Sequence, residues 1–367
     1  MHVRWLEVAG FRNYLSLSFA PDPGLNALLG PNGHGKTSLL EALHVLLTGR
    51  SFRTPRLADC LGWDAGGRTR LAGEVVEGVQ GRTVRLAFVA RGSTVDVQGE
   101  LCPWARAVSF QAADLGLLTG EPRGRRAYLD GVVTRLIPAH AATCRRYRLV
   151  LLQRSRLLGD LASRPDAGRL LEPWDEQLAA LGSEIVHRRL EVLGVLAVEA
   201  REIREALMPD GGALELRYEA SVEPETSVAG TQARLRAALA AGRVRDLGRG
   251  LTLVGPHRDD LGVRVGRTDA RIAASRGEQR LLTLTLRLAE AGVVRRRLGT
   301  APVFLLDDLL SELDQLARAR VLAWLRRQGQ VLFSGPDGGA AVETAAVWQV
   351  KDADVSALDQ SLVRGVA

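Results

Sequence analysis

Arginine has displaced lysine almost throughout this chain, leaving only Lys36 and Lys351. One of the two closes the octapeptide Gly30-Pro31-Asn32-Gly33-His34-Gly35-Lys36-Thr37, which is followed by Ser38. The spacing G-x-x-x-x-G-K-[ST] is that of a phosphate-binding loop. Glycine-rich backbone can turn successive N–H groups toward phosphate oxygens, and the N-terminus of the helix that follows adds partial positive charge. Lys36 then reaches the β and γ phosphates, and the Thr37 hydroxyl is a ligand for Mg²⁺. The motif predicts a site for ATP and Mg²⁺.

A second acidic element completes the chemistry. Pro302-Val-Phe-Leu-Leu-Asp307-Asp308 is an apolar run ending in two carboxylates. Alone it would read as a buried strand and a polar turn. Beside a phosphate loop, Asp307 is expected to hold Mg²⁺ and Asp308 to accept a proton from an attacking water. Gln111, after a strand around Val108, reads by itself as a solvated loop glutamine. These groups need positioning elements. Leu25 to Leu29 predicts a buried strand, and Ser38 to Leu47 has helical spacing.

Elsewhere the first part of the chain reads as β-rich, with strands expected at Val3 to Glu7, Leu15 to Phe19, Arg70 to Val76, Thr83 to Val89 and Thr94 to Val97. From about Arg123 to Leu207 the pattern is helical, with breaks expected near Arg164 to Gly168 and at Pro173. A strand at Leu214 to Tyr218 and a helix over Thr231 to Leu239 follow, and α/β character returns from Leu251. The expected organisation is a head in two parts, 1–122 and 246–367, with a mainly helical insertion at 123–245. With 367 residues, 46% hydrophobic and 25% charged, the composition is that of a globular protein large enough for two domains. Cys60, Cys102 and Cys144 are too few and too scattered for a disulfide framework or a metal cluster. Met1 to Trp5 reads as a strand rather than a leader, and no apolar run is long enough for a bilayer, so a cytoplasmic protein without a membrane partner is expected. The net charge of +7 favours a polyanionic partner only weakly, because the arginine bias has a compositional explanation.

Between the two acidic and phosphate motifs lies Ala274-Ser275-Arg-Gly277-Glu-Gln279-Arg280, at the start of an apolar helical run. Ser275-x-Gly277-x-Gln279 resembles the signature motif of ABC-type ATPases, and Ser311-Glu-Leu-Asp314 resembles their D-loop. The resemblance implies that Ser275, Gly277 and Gln279 contact nucleotide held by a second subunit, and that Gln111 is the glutamine that senses Mg²⁺ and the attacking water. Two departures stand out: none of the six histidines lies beyond His257, leaving Ser334 as the best substitute for a switch histidine, and Asp308 is shorter than the usual glutamate. Both favour slow hydrolysis. Transport subunits place the signature much closer to the phosphate loop, and long coiled-coil insertions are absent from this pattern.

Within the ABC class the chain is similar to the bacterial RecF family. The matching segments include Phe11-Arg-Asn-Tyr14, Ser51-Phe-Arg-Thr54, Gly124-Arg-Arg-Ala-Tyr-Leu-Asp130, Trp174-Asp-Glu-Gln177 and Gly255-Pro-His-Arg-Asp-Asp-Leu261. This resemblance implies an ABC-type P-loop head with an antiparallel β lobe and an inserted helical domain. It also implies a DNA-stimulated ATPase that closes as a homodimer on double-stranded and gapped DNA and, with RecO and RecR, helps load the RecA recombinase. Arg12 resembles an arginine that approaches the nucleotide phosphates in related heads. His257, Arg258 and Asp259 could line a functional face or form a salt-bridged turn. Arg123, Arg125 and Arg126, with Arg145, Arg146 and Arg148, and with Arg154 and Arg156, are the densest basic stretches and would suit phosphate contacts, Arg123, Arg125, Arg126, Arg145 and Arg146 first among them; the alternative for each is a solvated helix face. The rival reading is a transport or signalling ATPase subunit that does not bind DNA.

Overall fold

The computed structural model describes residues 1–62, 66–91, 94–160, 164, 166–308, 310, 313–335 and 345–358. Ser311 and Glu312 of the expected D-loop lie outside the described residues.

The chain begins with strands β1 (His2–Phe11), β2 (Tyr14–Phe19) and β3 (Leu25–Leu29), then helix α1 (Lys36–Thr48). Strands β4 (Arg68–Glu77), β5 (Gln80–Arg91), β6 (Thr94–Glu100) and β7 (Ala107–Phe110) follow. A helical stretch comes next: α2 (Gly116–Thr119), α3 (Pro122–Leu136), α4 (Ala139–Asp160) and α5 (Ala167–Leu207). After β8 (Leu214–Glu219) and α6 (Val228–Arg249) come β9 (Asp260–Val265), β10 (Thr268–Asp269) and α7 (Ala270–Ala273). The chain then runs through α8 (Arg276–Leu298), β11 (Val303–Leu306), α9 (Gln315–Leu325), β12 (Val331–Gly335), β13 (Ala346–Lys351) and β14 (Asp354–Ala357).

Two compact units result. The first comprises Met1–Leu115, Ile203–Asp210 and Arg276–Ala367. Among its described residues are two sheets. One is antiparallel in the order β2-β1-β4-β5-β6, and the other runs β14-β13-β3-β12-β11-β7, parallel except at the β14 edge. Helix α1 lies between them. Leu39, Leu40, Leu43 and Leu46 are fully buried in one core with Val3, Leu6 and Val75 from the antiparallel sheet and Leu28, Leu305 and Leu332 from the parallel one. A helix covered on both faces has to be apolar nearly all round, which explains why the run after Thr37 carries so few polar residues. The alternating burial of β1 and β4 is that of strands with one face on this core, whereas β11 is buried at all four positions.

The second unit comprises Gly116–Glu202 and Gly211–Ser275. It thus takes in 246–275, because β9 pairs antiparallel with β8 and α3 packs on β9. Two helices depart from the sequence expectation. Helix α5 runs through Pro173 without a break, although this seventh residue of the helix has no N–H to give its ladder; the proline carbonyl accepts a bond from Gln177 Nε2 at 3.2 Å. Helix α6 is longer than Thr231 to Leu239. Ser227 caps its N-terminus by accepting from Gly230 N at 3.0 Å, and Gly250, with φ of 64°, ends it in the left-handed region.

Candidate active site

Parallel strands bring their C-terminal ends to one edge of a sheet, where ligands of α/β proteins commonly sit. Here the edge carries the phosphate loop, both acids, Ser334 and Gln111. The loop after β3 leads into α1, Asp307 follows β11, Ser334 lies on β12 between them, and Gln111 follows β7. Strand register fixes the alignment, pairing Ser334 with Leu28 and Leu306 with Phe110.

The phosphate loop is built around exposed Pro31, Asn32 and Gly33. Gly35 precedes α1 with φ of 114°, and a Cβ there would lie 2.8 Å from the Tyr14 hydroxyl, so only glycine fits. Tyr14 in turn donates to Gly35 O at 3.1 Å. A Cβ at Gly33 would meet nothing within 4 Å, which leaves space beside the loop. Lys36 Nζ donates to Gly30 O at 2.5 Å and Pro31 O at 2.9 Å, closing the loop on itself. His34 is held by the β13–β14 turn: Asp352 N donates to its Nδ1 at 3.1 Å and Ala353 N to its carbonyl at 3.1 Å. No side chain caps α1, no acid lies in its first turn, and Ser38 is buried behind Thr37. The helix start therefore offers backbone N–H groups and partial positive charge without competition from a carboxylate.

Thr37 Oγ1 lies 2.9 Å from both Asp307 oxygens, and Ser334 Oγ donates to Asp307 Oδ1 at 2.7 Å. A hydroxyl and a carboxylate at that separation are a hard-oxygen donor pair suited to Mg²⁺, and the glycine cradle beside them suits a polyphosphate. Asp308 is exposed and has φ of 49°. Its backbone is held at both ends, with N–H donating to Ser334 Oγ at 2.9 Å and carbonyl accepting from Arg280 Nη2 at 2.7 Å. Ser334 thus touches both acids.

Gln111 is fixed through Nε2 donating to Phe52 O at 2.8 Å and its own N–H donating to Asp114 Oδ2 at 2.9 Å. Asp114 also accepts from Arg287 Nη2 of α8 at 2.5 Å. Neither Arg280 nor Arg287 was assigned a role from sequence; buried arginines inside an apolar helical run were the available signal. Arg12 stands in the β1–β2 turn with φ of 52° and is paired with Glu41 of α1 through Nε at 2.9 Å and Nη2 at 2.8 Å. Ser275 and Gly277 are exposed at the start of α8, and Gln279 is half-buried one turn further on.

The second unit corrects several arginine expectations. Arg125 is 3% exposed, bidentate to Asp260 at 2.8 and 2.7 Å, and donates to the carbonyls of Leu118 and Gly120, so it is not available to a phosphate. Arg154 is fully buried between Asp175 and Asp246 and bonds Thr252. Arg126 is half-buried and donates to Asp259 O at 2.7 Å. Arg123, Arg145 and Arg146 are exposed. His257 and Asp259 turn inward. His257 accepts from the Tyr147 hydroxyl at Nδ1 and donates to Thr252 O from Nε2, and burial pushes its pKa down to about 4. Asp259 accepts from the Tyr218 hydroxyl and Ser221 N. Asp130, His140 and Cys144 converge within 4.8 Å, but Arg189 donates to both Asp130 oxygens, and a cation there would face that guanidinium. All three cysteines are free thiols.

Comparison with known proteins identifies the family and the fold. Residues 2–335 match the RecF/RecN/SMC N terminal domain family. DNA replication and repair protein RecF of Heliobacterium modesticaldum is 36% identical over 340 residues, covering 91% of each chain. The protein of the same name from Streptomyces avermitilis is also 36% identical, over 91% of this chain and 93% of its own. Among solved structures, the recombination mediator protein RecF-ATPrS of the RecFOR pathway superposes with a TM-score of 0.85 at 26% identity, over 98% of both chains. An Smc head bound to the C-winged helix domain of ScpA shares the fold at a TM-score of 0.56 and 14% identity. The chain belongs to the RecF family, and its fold is that of an ABC-type ATPase head with an antiparallel β lobe.

Proposed function

We propose that the chain is an ATP-dependent DNA-binding protein of recombinational repair and replication restart, which closes as a homodimer on gapped or double-stranded DNA when ATP binds. By family, its partners are RecO and RecR and its output is help in loading the RecA recombinase. The observation that carries this reading is the contact of Thr37 and Ser334 with Asp307 at the mouth of a glycine cradle. Relatives named for DNA replication and repair, and a related structure named for its ATP analogue, support it.

In this reading the loop from Gly30 to Gly35 and the α1 N-terminus hold the phosphates, and Lys36 exchanges its two carbonyl partners for phosphate oxygens. Thr37 and Asp307 would hold Mg²⁺, with Gln111 beside them. When bound, Mg²⁺ neutralises charge on the β and γ phosphates. Asp308 takes the proton from the attacking water, aided by a backbone fixed through Ser334 and Arg280. Ser275, Gly277 and Gln279 act on nucleotide bound by the second copy, where the α8 N-terminus offers its N–H groups. The short Asp308 side chain and a serine in place of a switch histidine make turnover slow, as suits a clamp. Arg123, Arg145 and Arg146 are the arginines proposed for DNA phosphates. No described helix is long and apolar enough to cross a membrane.

ATP hydrolysis and size-exclusion mass, each measured with and without double-stranded DNA, test the proposal. Doubling of mass with ATP and faster hydrolysis with DNA are expected. A monomer indifferent to DNA would overturn it.

A further inference from the structure

We propose that Glu41 is a positioning residue of the nucleotide site, setting where Arg12 and Gln111 stand relative to Lys36 and Thr37. The inference rests on the reading that Arg12 and Gln111 serve the nucleotide.

Glu41 lies four residues after Thr37, on the same face of α1, and is fully buried. A buried carboxylate is costly unless its oxygens are well satisfied. Glu41 draws its partners from two separate segments. From the β1–β2 turn comes the bidentate Arg12 guanidinium, whose own backbone N–H donates to Cys60 O at 3.0 Å. From the segment after α1 come Ser51 Oγ at 2.5 Å, Arg53 Nη1 at 3.4 Å and Cys60 Sγ at 3.5 Å. The next residue in that segment, Phe52, supplies the carbonyl that holds Gln111 Nε2 at 2.8 Å. One carboxylate therefore links the helix of the phosphate loop to the turn bearing Arg12 and, through Ser51 and Phe52, to Gln111.

Its ionisation is consistent with that role. Burial pushes the Glu41 pKa up, but bonds from Arg12 and Ser51 and the nearby guanidinium charges leave it below the ordinary carboxylate value. Burial and the Glu41 charge push the Cys60 thiol up to about 12. A fold-stabilising pair alone would be met as well by apolar residues of similar volume, so a buried carboxylate with arginine partners from two segments has geometry as its gain.

The test compares Glu41→Gln, Arg12→Ala and the double variant by calorimetric ATP binding. It also follows maleimide labelling of Cys60 in nucleotide-free protein, located by peptide mapping. Each single variant is expected to bind ATP about tenfold more weakly, and the double variant well short of the roughly hundredfold that independent losses would give, because Glu41 acts in large part through Arg12. Cys60, 3% exposed in the parent, should label faster in Glu41→Gln. Parental ATP affinity in Glu41→Gln beside weakened binding in Arg12→Ala would overturn the proposal. Parental affinity in Arg12→Ala would instead overturn the reading on which it rests. Should Glu41→Gln fail to fold, Ser51→Ala keeps the Arg12 pair and removes one bond; about threefold weaker ATP binding and faster Cys60 labelling are expected. Parental values for both would refute the coupling through Ser51.

Discussion

Polar groups serve opposite ends in the two units. In the first, Thr37, Asp307 and Ser334 come together at an open strand edge beside an exposed glycine loop, satisfied for now by one another. In the second, Arg125, Arg154 and Arg189 are buried and spent on Asp260, Asp175, Asp246 and Asp130. The first arrangement can trade its internal bonds for a ligand. The second cannot without disrupting its core, since withdrawing Arg154, for example, would take the ion pair from the fully buried Asp246. Density of basic residues is therefore a poor guide to where a polyanion binds, and the accessibility of each charge decides.

The largest effect that could break this contrast is expected from Arg154→Ala. Stranding Asp246 and leaving Asp175 to Arg243 alone should cost about 3–5 kcal/mol in urea-monitored stability, with ATP affinity of the folded protein unchanged. Weakened ATP binding at full stability would reverse the assignment. Lys36→Met should do the opposite, lowering ATP affinity at least about a hundredfold while stability stays within about 1 kcal/mol, because the phosphates lose their main side-chain cation. Calorimetry and urea titration separate the two.

A pH effect belongs to the second unit. The folded pKa of His257 is depressed to about 4, below the unfolded value near 6.5, so the unfolded state takes up the proton first. His257 should therefore remove about 2–3 kcal/mol of stability as pH falls from 6.5 to 4, with no further loss from this group below that. His257→Gln should flatten that part of the urea-midpoint profile; an unchanged slope would mean that the histidine titrates normally. The smallest effect concerns DNA. Replacing exposed Arg145 and Arg146 by Ala should lower the salt slope of DNA binding by about one to two, and an unaltered slope would move the contact face elsewhere.

What was legible in the sequence follows from range. The strand Leu25–Leu29, the helix after the phosphate loop and the strand before Asp307 depend on local pattern; the structure has both strands at or within a residue of where the pattern put them, and starts the helix at Lys36, two residues before Ser38. The ABC-type fold was legible from the order of its motifs. The fate of the arginines was not. Arg125 meets Asp260 across 135 residues of chain and Arg154 meets Asp246 across 92, and neither partner leaves a local periodicity. Glu41 escaped notice for the same reason, as its main partner, Arg12, lies 29 residues back. Pro173 misled in the other direction, because the loss of one ladder bond in the second turn of a 41-residue helix did not end it.

The central claim is that exposed Ser275 completes a site on a second copy of the chain. Ser275→Arg should bind ATP as a monomer, fail to dimerise and hydrolyse poorly, and Lys36→Met should be inactive through its own phosphate loop. Mixed, the intact loop of the first can face the intact signature of the second. ATPase activity of the mixture is the direct measurement: weak but detectable recovery above either variant alone is predicted, and full activity of Ser275→Arg as a monomer would contradict the account.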